Sequence, residues 1–258
     1  MLKMVLLVFF LTFTYKALAQ NFDWYPASRK LDWSPATKKK APVLVFVHGG
    51  AWVSGDKSDY KTLAEELISK KFCVAVLQYS LAPQSKHPIP VEQLQSALQK
   101  IISTPEKNCD TQNIFLVGHS AGAHMIAFWA TQHQLPEVQG FIGLEGIYDL
   151  PQLAEKWPDY EAQFLIAAFG RKNLWPEASP SRLNFISRKP WLIVHSKQDE
   201  LIDTQQSLNF KKHLQLENIS ATYLELTKET HFQVLSHLSN KKETLGKSFF
   251  NFMTQQKP

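Results

Sequence analysis

A chain of 258 residues with 44% hydrophobic and 20% charged residues has the composition of a globular protein, long enough for one α/β domain with a large core. Its net charge of +5 comes from scattered basic residues, and the one short run, Lys38-Lys39-Lys40, reads as a solvated loop, so no stripe for nucleic acid is present. H-E-x-x-H spacing is absent and the two cysteines do not form a zinc pair, so no metal and no cofactor are expected.

The first residues stand apart. Lys3 precedes an apolar run, Val5-Leu6-Leu7-Val8-Phe9-Phe10-Leu11, and Ala17-Leu18-Ala19 follows. A basic start, an apolar core of about ten residues and an A-x-A-like site are the layout of a secretory signal peptide. The run is too short for a transmembrane helix. Residues 1–19 are therefore expected to be cleaved after Ala19, with no stable membrane insertion afterwards, leaving a secreted or periplasmic domain over 20–258; a buried strand there would instead mean a cytoplasmic protein. Cleavage removes Lys3 and Lys16 and no acidic residue, which lowers the net charge from +5 to +3.

Residues 20–42 read as an extended lead-in with a strand near Leu31-Asp32-Trp33. The stretch 43–47 (VLVFV) is continuously apolar, as a strand buried on both faces must be. A helix is expected over 59–70, a strand over 73–77, an amphipathic helix over 91–102 and a strand over 114–117. After it come a helix over 123–133 and a strand over 141–144. The segment 151–188 breaks the alternation with Pro151, Pro158, Pro176 and Pro180, and reads as a lid-like insertion with a helix near 160–169. A strand over 191–194, a helix over 205–216, a strand over 222–226 and a helix over 243–254 close the chain. This alternation predicts a mostly parallel sheet with helices on both faces. Right-handed crossovers then bring every strand-to-helix turn to one end of it. Cys73 and Cys109 are either bridged or two buried thiols, and Asn218-Ile219-Ser220 is a glycosylation sequon.

Four stretches should meet at that end. Gly118-His119-Ser120-Ala121-Gly122 lies between a strand and a helix, the setting of a nucleophile elbow, in which a sharp turn forces the serine outward. His48-Gly49-Gly50-Ala51-Trp52 directly follows the strand 43–47. Paired glycines let backbone approach a substrate, and the N–H groups of Gly50, Ala51 and Ala121 are the expected donors to an oxyanion. Asp199, after the strand 191–194, is the candidate acid; Asp203 competes, but it sits where a helix starts and reads as a cap. Among nine histidines, His231 alone lies in the loop that the chain order Ser…Asp…His requires. His213 and His237 fall in helical segments and read as surface residues. His195 ends a strand and reads as structural, and His119 should pack beside the elbow.

These residues carry a family resemblance. HGGAW at 48–52, GDK at 55–57, YSLAP at 79–83, GHSAGAH at 118–124, GIYDL at 146–150 and SP at 179–180, with Asp199 and His231, resemble α/β-hydrolases of the HGG-type esterase and lipase branch, and within it the kynurenine formamidases (arylformamidases). The resemblance implies an α/β-hydrolase fold and hydrolysis of N-formyl-L-kynurenine to L-kynurenine and formate through a Ser120–His231–Asp199 triad. General esterases share HGGAW and GHSAG, so a secreted carboxylesterase acting on small acyl esters is the alternative. Receptors and adhesion modules of this fold lack the triad serine or histidine, and both stand here. Two departures touch the substrate: Glu145 replaces the small residue that usually precedes GIYDL, and Ala51 replaces a tyrosine between HGG and Trp.

Overall fold

The computed structural model describes residues 22–25 and 40–256. The segment expected to be a signal peptide, and the strand expected near Leu31-Asp32-Trp33, lie outside the described residues. The described elements run β1 (Phe22–Tyr25), β2 (Ala41–Val47), α1 (Lys61–Ser69), β3 (Cys73–Leu77), α2 (Ile89–Ser103), β4 (Cys109–His119), α3 (Ala121–Gln132), β5 (Val138–Leu144), α4 (Leu150–Lys156), α5 (Ile166–Phe169), β6 (Trp191–Ser196), α6 (Gln205–Leu216), β7 (Ala221–Leu226), α7 (Gln233–His237) and α8 (Thr244–Gln255).

The strands form one sheet in the order β1-β3-β2-β4-β5-β6-β7. Six of them are parallel, and β1 adds antiparallel to the edge of β3. The strand period of two splits β2 cleanly. Val43, Val45 and Val47 face one layer, with Leu94 and Leu98 of α2, Met125 of α3 and Phe210 of α6. Leu44 and Phe46 face the other, with Leu67 of α1 and Phe249 of α8. A strand buried on both faces has no polar side to show, which is why the run is continuously apolar. Burial of each such side chain stabilises the fold by about 1.5–3 kcal/mol. Helix α3 is buried from Ala121 to Thr131, so it is apolar all round rather than amphipathic.

Cys73 and Cys109 are joined in a disulfide with Cα atoms 5.8 Å apart. They sit at the first residues of β3 and β4, flanking β2, at the end of the sheet away from the strand-to-helix turns.

Segment 150–190 holds α4, a π-helical turn (Glu161–Leu165) that runs into α5, and three short 3-10 turns. Helix α4 was not expected. Asp149 caps it by accepting from Gln152 N at 3.0 Å, and Pro151 stands in its first turn, where a missing N–H costs nothing. Trp175 and Phe169 are core residues, whereas Trp157 and Phe164 are half-buried. Rings continue from Trp157 to Tyr160 (5.9 Å), Phe164 (4.6 Å), Trp52 (6.4 Å) and Phe169 (4.7 Å).

Candidate active site

The sites expected from the sequence all follow the C-terminal ends of parallel strands. His48 follows β2, Ser120 follows β4, Asp199 lies three residues past β6 and His231 follows β7. In-register pairing of Val47 with Gly118 puts the first two side by side.

Ser120 adopts φ +55° and ψ −119°, a region that a residue with a side chain rarely occupies. The turn is held by Ser120 N donating to Leu144 O at 2.9 Å and by Ala123 N donating back to Ser120 O at 3.0 Å. A Cβ on Gly118 would come within 2.5 Å of Gly122 O, and one on Gly122 within 2.0 Å of Val47 O, so both positions exclude a side chain. Ser120 Oγ itself has no hydrogen-bond partner among the described residues.

The second turn presses against the first. A Cβ on Gly49 would lie 3.0 Å from Ser120 Cβ. Gly50, Ala51 and Trp52 all have positive φ, a backbone conformation outside that of a strand or a right-handed helix. Gly50 O accepts from Val53 N (3.0 Å) and Ser54 N (2.9 Å), closing the turn. The N–H groups of Gly50, Ala51 and Ala121 donate to no acceptor among the described residues. The stretch 79–83 braces the turn: Tyr79 Oη donates to His48 O and Gly49 O at 3.1 Å each, and Ala82 N donates to Trp52 O at 2.9 Å. The His48 ring stacks on Tyr79 at 4.3 Å, and burial lowers its pKa. Trp52 meets His124 edge-on at 5.0 Å.

The candidate acid and base are joined directly. His231 Nδ1 lies 2.8 Å from Asp199 Oδ2, and both side chains are buried. A carboxylate accepts, so Nδ1 carries the proton and Nε2 keeps its lone pair free. Asp199 Oδ1 accepts from Leu201 N and Ile202 N, each at 2.9 Å. Burial works against its charge, but hydrogen bonds from His195 and His231 outweigh that and hold its pKa below the usual carboxylate range. Asp203, the competing acid, instead accepts from Gln205 N at 2.7 Å at the start of α6.

Three other histidines donate to backbone carbonyls. His195 is buried, with Nε2 donating to Ile202 O at 3.1 Å and Nδ1 2.7 Å from Ser207 Oγ. His124 Nε2 donates to Ala178 O at 2.8 Å. His213 is half-buried rather than on the surface, and its Nε2 donates to Leu183 O at 2.8 Å. Reading the sequence missed two groups here. His119 reaches the backbone of His231, and Glu145, just past β5, has a carboxyl oxygen 3.2 Å from His195 Nε2. Their partners are far away in the chain, so only the unusual Glu145 before GIYDL was a local signal. Glu145, His195 and Asp199 hold ligand atoms within 4.8 Å of one another, but His195 Nε2 donates to Ile202 O and Asp199 Oδ1 accepts from two backbone N–H groups.

Together, a strained serine, an uncommitted set of backbone donors and a carboxylate-oriented imidazole are the parts needed for acyl transfer. A family model described as BD-FAE matches residues 31–214. The chain is 31% identical over 200 residues to the kynurenine formamidase of Meyerozyma guilliermondii, spanning 66% of this chain and 74% of that protein. It is 27% identical over 216 residues to esterase LipC of Mycobacterium tuberculosis, spanning 75% of this chain and 53% of that protein. Among solved structures, esterase B of Lactobacillus Rhamnosis is similar with a TM-score of 0.72 at 18% identity, covering 91% of this chain and 87% of that one, a likeness of fold.

Proposed function

The chain belongs to the BD-FAE family and is a kynurenine formamidase-like hydrolase of α/β-hydrolase fold; from that premise we propose that it hydrolyses N-formyl-L-kynurenine to L-kynurenine and formate, a step of tryptophan breakdown. The observation that carries the proposal is the convergence of the Asp199–His231 pair, 2.8 Å apart, with the Gly49 turn packed on Ser120.

Ser120 Oγ attacks the formyl carbon while His231 Nε2 takes its proton. The carbonyl oxygen becomes negative and is held by the N–H groups of Gly50, Ala51 and Ala121, worth a few kcal/mol per donor. The C–N bond breaks as His231 returns the proton to the aryl nitrogen, leaving formyl-Ser120 and the amine. Water then attacks the formyl ester, His231 takes one of its protons, and formate leaves as the proton returns to Ser120 Oγ. Asp199 keeps the imidazole in the right tautomer and stabilises its cation.

The test is turnover of N-formyl-L-kynurenine beside short acyl aryl esters, followed by release of the aryl amine or phenol. Ester turnover without formamide turnover would move the protein to a second reading, a carboxylesterase for small acyl esters. The similarity to esterase LipC favours that alternative, since HGGAW and GHSAG serve both chemistries. Labelling of Ser120 by a fluorophosphonate tests the nucleophile under either reading.

We also infer export to a secreted or periplasmic location. The Cys73–Cys109 bridge supports it, because disulfides persist in oxidising compartments. Sequencing of the exported protein should begin at Gln20, and an intact Met1 start in a reducing compartment would count against it.

A further inference from the structure

Glu145 is fully buried at the end of β5, with φ +49°. Its backbone N donates to Val194 O at 3.0 Å, and its carboxyl reaches the end of β6. Both carboxyl oxygens lie 3.1 Å from Ser196 N, and Oε2 lies 3.2 Å from His195 Nε2. Asp199 Oδ2 is 3.2 Å from the same nitrogen. Two carboxyl groups thus converge on one buried point. They share one imidazole N–H, which already donates to Ile202 O.

Two carboxylates this close, out of water, cannot both be ionised. The surroundings decide which one carries the charge. Asp199 has two backbone donors on Oδ1 and His231 on Oδ2. Glu145 has a single backbone donor spread over both oxygens. We propose that Glu145 is a positioning residue of the active site: its neutral acid donates a hydrogen bond to Asp199 and holds that carboxylate in the orientation His231 requires. Burial first, then the hydrogen bond and charge of Asp199, push the Glu145 carboxyl up to about 10. The other groups facing it agree. Glu229 adds a repulsive charge, and burial pushes Tyr148 and Tyr223 up in pKa, so both phenols stay neutral. None supplies a cation that would ionise it.

The inference rests on Asp199 and His231 being the acid and base, and the test separates the two claims. Three full-chain variants, E145Q, E145A and D199N, are compared with the parent over a pH–rate profile using an aryl ester. D199N should lose about 10⁴-fold in kcat, which tests the acid itself. E145Q should keep kcat within about threefold, since its amide N–H replaces the acid proton and its amide oxygen still accepts from Ser196. E145A should lose about 10-fold to 100-fold in kcat with KM unmoved. Its acid limb should shift upward, because Asp199 without that donor stabilises the imidazolium more strongly. Folded E145A with the parent kcat and acid limb, or E145Q as impaired as E145A, overturns the proposal while D199N still upholds the triad. Should E145A not fold, urea midpoints of E145Q and the parent decide. Their gap should widen in favour of E145Q from about pH 5 to pH 9, because only the parent holds a carboxyl that must stay protonated. A constant gap overturns the proposal.

Discussion

His119 Nε2 lies 2.9 Å from the carbonyl oxygen of His231, so the residue before the candidate nucleophile is tied to the backbone of the candidate base. A carbonyl can only accept, so Nε2 carries the ring proton and Nδ1 is left bare, without a partner among the described residues. The rings are 4.7 Å apart. This contact closes a circuit across 112 residues of chain and ties the His231 backbone to the residue beside Ser120.

H119F keeps an aromatic ring, somewhat larger than imidazole, and removes the donor. The His231 carbonyl then loses its partner inside a buried site, at a cost of about 1–3 kcal/mol. We expect a roughly tenfold lower kcat with little change in KM, because the lost contact orients the base rather than binding substrate. Steady-state kinetics with a denaturation curve on the same preparation check this. An unchanged kcat would show that the loop holds His231 without His119.

Ser120 stands at φ +55° and ψ −119° because the elbow demands it, and the strain should be recoverable. S120A should abolish turnover yet keep the strain, since alanine also carries a Cβ. S120G should abolish turnover and raise stability by about 1–3 kcal/mol, the usual cost of such a backbone conformation, less what glycine loses in the unfolded chain. Thermal unfolding of the two variants side by side measures the difference. Equal melting temperatures would mean that the elbow stores no such strain.

The candidate site was legible in the sequence where it rests on local pattern. HGGAW, GHSAG and the order Ser120…Asp199…His231 each follow an apolar strand, and parallel register brings them together. Helix α4 was missed because Pro151 looked like a breaker, although in the first turn it is a starter. The π-helical turn over Glu161–Leu165 leaves no periodic signature distinct from a helix, so 160–169 read as one element. The partners of His119 and Glu145 were invisible for a different reason. Each is a contact between separate strand ends, set by tertiary geometry that no local spacing encodes. Asp203 was set aside as an acid because a carboxylate at a helix start has a sufficient local role, and here it accepts from Gln205 N while Asp199 meets His231.

The bridge between Cys73 and Cys109 closes a sequence separation of 36 residues around β2. Loop-closure entropy assigns such a link at most about 4 kcal/mol, and measured effects are commonly smaller. C73S/C109S should therefore lower the urea midpoint markedly while leaving kcat unchanged in the folded fraction, because the bridge lies at the end of the sheet opposite Ser120. Reductant should reproduce the stability loss in the parent and have no effect on the double variant. A fall in kcat under conditions where the protein stays folded would contradict this separation.

Acid should unfold the protein through its buried histidines. Burial pushes the fully buried His119 and His124 down to about 3, and partial burial pushes His87 down to about 4, from an ordinary 6.5. In the unfolded chain all three bind protons near the ordinary value, whereas in the folded protein they stay neutral. The sign follows: stability from these groups is complete above about pH 6.5 and is lost as pH falls toward 3–4. Within that window each histidine contributes a slope of about 1.4 kcal/mol per pH unit once the unfolded form is fully protonated. H124Q offers the cleanest test, since its amide can still donate to Ala178 O as His124 does at 2.8 Å, and the position lies away from the Asp199–His231 pair. Urea midpoints between pH 7 and 4.5 should fall less steeply for H124Q than for the parent, by about one proton's slope, with equal values at pH 7 apart from a constant offset. Parallel curves would mean that His124 is already charged in the folded protein, and that its Nδ1, without a partner among the described residues, has found an acceptor on protonation.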